Sequence, residues 1–271
     1  MDPNPGKFLS EIIAARLKSV GEARAQVPLK KIQEEAKKRT ERRDFTGALS
    51  ARGVNIIAEL KKNSPSKGNL RKDYQPEVIA HSYEQAGAAA LSILTEAEYF
   101  QGSLDHLRQV RSATKLPVLR KDFILDEYQI YESIAAGADS LLLIVAALGQ
   151  KKLGHLIRLC QNLQIEPLVE IHSENELEMA HGAGATLIGV NNRHLGTFEV
   201  SLTTSLRLID RIPRNHVAVS ESGISSGLEV ARLKRAGFNA VLVGEQFMTA
   251  CEPGLELETM LRGAHEELTK S

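Results

Sequence analysis

Eight short aliphatic runs, alternating with longer amphipathic stretches, dominate the chain from Asn55 onward: NIIAEL, ALSILT, LPVLRK, SLLLIV, EPLVEI, TLIGVNN, HVAVSES and AVLVGE. A run that is apolar at nearly every position has no face to give to water, so it predicts a strand covered on both sides. Between the runs, 76–86, 103–114, 127–137, 151–162, 174–182, 203–212 and 227–237 carry apolar residues at helical spacing. Successive runs begin roughly 20 to 35 residues apart, the length of one strand–helix unit. Eight such units in about 215 residues predict an α/β protein folded as a closed (β/α)8 TIM barrel. The competing open, doubly wound sheet ordinarily carries a glycine-rich nucleotide turn after its first strand, and no such turn occurs here.

The first 50 residues have another texture. FLSEIIAARLKSV spaces Phe8, Ile12, Ile13 and Leu17 as a helix would, and 28–42, opening on Pro28 and dense in Lys, Glu and Arg, predicts a solvated second helix. The expectation is one barrel domain over 1–271, with 1–50 as a helical N-terminal extension. Lys and Arg total 34, as do Asp and Glu, and this balance speaks against a nucleic-acid coat or a polybasic membrane binder. Hydrophobic residues at 42% speak against disorder, while the absence of Trp makes the core mainly aliphatic. No apolar run approaches the roughly 20 residues of a membrane span. MDPNPGKFLSEIIAARLK has no secretory pattern. A cytoplasmic protein is expected, with Cys160 and Cys251 as reduced thiols. The eight histidines form no metal-ligand spacing, so no metal is expected.

In a barrel, chemistry sits at the carboxyl ends of the strands. Period-two alternation puts Ile57, Glu59 and Lys61 on one face of the first strand and Ile56, Ala58 and Leu60 on the other. Glu59 and Lys61 then project toward the barrel axis; a purely structural ion pair there would add little net stability. Lys121 shares parity with Leu119, Glu170 lies between Val169 and Ile171, and later strands end in Asn191-Asn192-Arg193 and Glu221-Ser222-Gly223. Acids, amines and amides at five strand ends exceed what a core explains. Gly223 and Gly244, just past the last two strands, suit backbone capture of a phosphate, with Glu245 offering its N–H and turning its carboxylate away. Asp122 is expected to accept from backbone, and His172 to face solvent.

IIAELKKNSPSKG, TEAEYFQGS, LRKDFILDEYQI, PLVEIHSENEL, IGVNNRHLGTFEV, SESGI and VLVGE, in this order, resemble the indole-3-glycerol-phosphate synthases of tryptophan biosynthesis over essentially the whole chain. The resemblance implies a cofactor-free, metal-free barrel that acts on a phosphorylated small molecule. The reaction closes the ring of 1-(2-carboxyphenylamino)-1-deoxyribulose 5-phosphate and releases carbon dioxide and water. It implies Lys121 as general acid, Glu170 as its carboxylate partner, Lys61 and Glu59 as supporting charges, and Asn191 as a positioner of hydroxyls. Ser64 and Arg193 fit the anthranilate carboxylate and Phe100 its ring. Ser222, Glu221, Gly223, Gly244 and Glu245 fit the ribulose-phosphate end. Asn63 and His194 depart from the family's usual Ala and Asp. Cations around Lys121 are expected to lower its pKa, and nearby Glu to raise it.

Three other readings stay open at this stage. They are a phosphoribosylanthranilate isomerase-like barrel, a Schiff-base aldolase using Lys61 or Lys121, and a noncatalytic barrel that binds a phosphorylated ligand. Association with other tryptophan-pathway enzymes also stays open.

Overall fold

The structure, a computed structural model, describes residues 5–194 and 196–270; the first four residues of the expected N-terminal extension lie outside it. Eight parallel strands close into a barrel: β1 (Asn55–Leu60), β2 (Ala90–Leu94), β3 (Val118–Lys121), β4 (Ser140–Ile144), β5 (Glu166–Ile171), β6 (Leu187–Asn191), β7 (Val217–Glu221) and β8 (Ala240–Val243). Each pairs with its sequence neighbours, and β8 returns to β1 with Asn55 opposite Ala240. All eight aliphatic runs are strands.

The helices are α1 (Pro5–Gln26), α2 (Leu29–Lys38), α3 (Phe45–Leu49), α4 (Pro76–Gln85), α5 (Leu104–Ala113), α6 (Glu127–Ala136), α7 (Val145–Asn162), α8 (Glu174–Gly182), α9 (Thr203–Leu208), α10 (Gly227–Ala236), α11 (Glu245–Thr249) and α12 (Pro253–Thr269). Several begin where a short polar side chain caps free backbone donors. Ser103 accepts from Asp105, Ser173 from Glu176 and Ser226 from Glu229, and Asp126 forms a capping box with Gln129. α12 packs between α10 and α4 and closes the outer ring. Among the described residues no helix is long and apolar enough to cross a membrane.

Strand parity divides the core in two. Ile56, Ala58 and Leu60 join the layer beneath the helices. Ile57, Leu119, Leu142, Leu168, Val219 and Leu242 fill the barrel interior. Phe45 and Leu49 of α3 enter that interior cluster, so α3 plugs the barrel at its amino end. Burying each is worth about 1.5–3 kcal/mol.

At that same end, the buried carboxylate of Asp139 gathers three arginines. It takes Arg39, Arg111 (2.8 Å) and the backbone N–H groups of Arg43 (3.0 Å) and Val118 (2.9 Å), while the Arg43 guanidinium holds the Leu116 carbonyl at 2.8 Å. Arg39 is available for this because α2 ends at Lys38, four residues before the expected helix would.

α1 differs from its expected face. Ile12 and Val20 are buried, yet Leu17 is half exposed. The buried stripe follows 8, 12, 16 and 20, one turn plus a slight drift at each step. Arg16 occupies an apolar slot on it and reaches Asp122 at 2.7 Å. Cys160 is buried and Cys251 exposed, both as free thiols.

Candidate active site

The carboxyl ends of the strands converge on a cavity of about 480 Å³, a size suited to a small molecule. Glu59, Lys61, Ser64, Phe100, Lys121, Glu170, Asn191, Arg193, Glu221, Ser222, Gly223, Gly244 and Glu245 all line it. Every residue singled out as a candidate from the sequence therefore reaches one place. Phe8 of α1, Phe123, Phe198 and Leu242 supply apolar wall that strand-end reasoning missed.

Inward parity carries Lys61 to Glu59, with Nζ 2.7 Å from Oε1. Lys121 ends β3 with its Nζ 3.2 Å from Glu170 Oε2 and 3.5 Å from Glu221 Oε2. Its neighbours are carboxylates rather than the expected cations. Burial opposes the ammonium, but Glu170, Glu221 and Glu59 outweigh it and raise the lysine above its ordinary pKa. Glu170 balances the other way. Burial opposes its charge, yet Lys121, His172 and hydrogen bonds from Asn191 and Lys121 hold its pKa below the usual carboxylate value.

Glu221 pairs with the same lysine but meets repulsion from Glu170 and Glu59 as well as deep burial, and its pKa is pushed up to about 7. Neither of its oxygens has an aligned hydrogen bond among the described residues. Two buried acids of one pocket are thus held apart, one ionised and one able to carry a proton near neutrality. The rise in Glu221 also sets a pH dependence of stability. The unfolded carboxyl ionises first, so this contribution is intact at low pH and is lost as pH climbs from the ordinary carboxylate range through about 7. Glu221→Gln should therefore be more stable than the parent at pH 8, by about 1–3 kcal/mol, with the difference vanishing near pH 4. Urea melts across pH check this.

Two glycines shape the pocket. A Cβ on Gly189 would overlap Glu221 Oε1, and one on Gly244 would overlap Glu59 Oε1. Glycine leaves each carboxylate the space that a side chain there would take, so a larger residue would have to push the acid aside. Beyond β7, Ser222 (φ 67) and Gly223 (φ 75) are both left-handed. For serine this conformation is strained, and such strain concentrates at functional turns.

Glu245 also lines the cavity, with its carboxylate 3.3 Å from Arg193 and 3.7 Å from Lys67. It turns toward cations rather than out of the site. Asp122 accepts the Phe123 N–H at 2.8 Å, as expected, and also neutralises fully buried Arg120 at 3.0 Å. Arg120 has outward parity, sits under α6 with Ser133 and Glu132, and was not singled out from the sequence. His172 does not face solvent: it is largely buried, between Glu170 and Glu176. The two departures from the family pattern have local partners. Asn63 donates to the Tyr99 carbonyl at 2.7 Å, and His194 Nδ1 accepts from the Gly196 and Thr197 N–H groups, as a short acid would.

A family model described as indole-3-glycerol phosphate synthase matches residues 9–260. The chain belongs to the indole-3-glycerol phosphate synthase family. Relatives bearing that family's name include one from Polaromonas naphthalenivorans, 49% identical over 254 residues that cover 92% of this chain and 97% of the relative. Another, from Chromobacterium violaceum, is 47% identical over 257 residues, covering 93% and 97%. A solved 3-hexulose-6-phosphate synthase from Salmonella typhimurium superposes with a TM-score of 0.62 at 13% identity, over 79% of this chain and 100% of that one. It shares the barrel fold.

Proposed function

We propose that this chain converts 1-(2-carboxyphenylamino)-1-deoxyribulose 5-phosphate to indole-3-glycerol phosphate, carbon dioxide and water, as a decarboxylating carbon–carbon lyase of the cytoplasm. The observation that carries the reading is the buried ammonium of Lys121 between Glu170 and Glu221, inside the cavity at the carboxyl end of the barrel. Carbon–carbon bond formation at a ketone turns the carbonyl oxygen toward alkoxide. An ammonium in reach of that oxygen supplies the proton as charge develops. Loss of the carboxylate then restores aromaticity, so the protein needs no electron sink. Dehydration calls for an acid at the leaving hydroxyl and a base at the departing proton. Glu170, kept ionised, fits the base. Lys61, tied to Glu59, shares the acid duty, and Asn191, bonded to Glu170, orients the substrate hydroxyls.

In the same reading, Arg193 and Ser64 hold the anthranilate carboxylate, and Phe100 packs on its ring. The phosphate lies against Ser222 and the backbone N–H groups of Gly223, Gly244 and Glu245. Glu221 stands beside the ribulose chain. The Glu245 carboxylate faces Arg193 and Lys67, which offsets part of its repulsion of the phosphate.

Purified protein mixed with the carboxyphenylamino-deoxyribulose phosphate tests the whole reading, because indole fluorescence rises only with turnover. A flat trace rejects the enzyme. A covalent adduct trapped by borohydride would replace it with the Schiff-base reading.

The 1–50 segment is read as part of the one domain and as a cap on the pocket mouth. Supporting this, Phe8 lines the cavity and its ring meets Phe198 edge-on at 5.1 Å and Tyr99 at 5.5 Å. Arg24 binds Asp126 at 2.7 Å, which ties α1 to the loop after β3. Removing α1 takes the Phe8 ring out of the cavity wall, and a substrate contact worth about 1.4 kcal/mol corresponds to about tenfold in affinity. A chain lacking α1 should show KM raised about tenfold in steady-state assays; an unchanged KM would refute the cap.

A further inference from the structure

The turn from β5 into α8 carries an imidazole wired between two carboxylates. Ser173 caps α8 and accepts the Glu176 N–H, and Glu176 reaches back with Oε2 to the His172 backbone N–H at 2.7 Å. This reciprocal capping fixes where the Glu176 carboxylate stands. The same Oε2 lies 3.2 Å from His172 Nδ1. The ring is thereby turned so that Nε2 lies 3.4 Å from Glu170 Oε1. Glu170 Oε2, its other oxygen, faces Lys121. His172 Nε2 is buried and has no aligned hydrogen bond among the described residues, so what joins it to Glu170 is charge across 3.4 Å.

We propose that His172 is a positioning residue for Glu170: held by Glu176, its imidazolium fixes one oxygen of the Glu170 carboxylate and keeps that group an anion ready to take a proton. The assignment rests on the reading of Glu170 as the base. A ring with a carboxylate at each nitrogen is matched only when both nitrogens carry hydrogen. Three carboxylates bear on the ring, Glu170 from β5, Glu176 from α8 and Glu221 from β7, and Lys121 of β3 lies beyond Glu170. Burial opposes the imidazolium, but the hydrogen bond to Glu176 and the charges of these acids outweigh it and raise the His172 pKa.

The decisive measurements compare the parent with His172→Ala and His172→Gln, the latter keeping an amide donor near Glu170. A misplacement of a reacting group by about 1 Å can cost about 10²-fold, so a loss of about 10–100-fold is the expected scale. His172→Ala is expected to lose about that much in kcat with KM within about threefold, and its kcat–pH profile should shift its acid limb upward by about one unit as Glu170 loses a cation. His172→Gln should recover part of the kcat. An acid limb superimposable on the parent's would overturn the proposal whatever the rate. A readout independent of turnover uses the ligand-free protein. NMR titration of His172 should give a lower pKa in Glu170→Gln than in the parent, and an unchanged value would also overturn it. A parent that titrates as expected but fails to turn over the phosphate ester would instead count against the enzymatic reading alone.

Discussion

Lys121→Ala should reduce kcat by about 10²–10⁴-fold, the range a well-placed general acid contributes. The loss follows from geometry, since the Lys121 Nζ sits among Glu59, Glu170 and Glu221. Without it, Glu170 loses the ammonium that holds its charge, so it protonates more readily and the residual rate should fall further in acid. Lys121→Arg separates charge from chemistry. A guanidinium neutralises the same acids but does not surrender a proton near neutrality. It should preserve the fold and remain as slow as the alanine variant. Single-turnover fluorescence, with circular dichroism to confirm folding, checks both. Near-normal turnover by either would take the acid role from Lys121 and move it to Lys61.

Asp139→Ala should be the most damaging change for stability. The carboxylate is fully buried and serves Arg39, Arg111 and two backbone donors at once. Removing one member of such a buried network costs about 3–5 kcal/mol, because the charges left behind keep their desolvation penalty. At about 2–4 °C per kcal/mol for a large single domain, Tm should fall by about 10 °C. Asp139 precedes β4, at the amino end of the barrel, so kcat below the transition should hardly move. Asp139→Asn keeps the shape and loses the charge. A melting curve for Asp139→Ala within about 2 °C of the parent would mean that the arginines find water when the acid is gone.

The barrel was legible because strands buried on both faces leave unbroken aliphatic runs, and because parity places inward and outward residues. Glu59, Lys61, Lys121 and Glu170 follow from that rule. Elements without such a signature were not. α3 is five residues long, too short for a period, although Phe45 and Leu49 plug the barrel. α12 follows the last strand and has no later run to bracket it. On α1, Leu17 lies half a turn away from Phe8, and the slot between Ile12 and Val20 is filled by an arginine whose partner is 106 residues distant. Arg120 was absorbed into a strand-end pattern although its parity points under the helices. For His172 the signal is present, since it shares parity with Glu170, but parity alone does not say whether a residue just past a strand end meets solvent or the pocket. Charge balance in the pocket was least legible, since it depends on distances among β1, β3, β5 and β7.

Gly189 and Glu221 divide a single volume between two strands, and neither can be changed without the other answering. Adding a methyl at 189 alone should force the acid aside at a cost of about 1–3 kcal/mol. Shortening the acid alone, Glu221→Asp, should leave a hole facing the glycine. Installed together, Gly189→Ala and Glu221→Asp should each relieve the other's defect, so a redesign of this pocket has to treat the two positions as one.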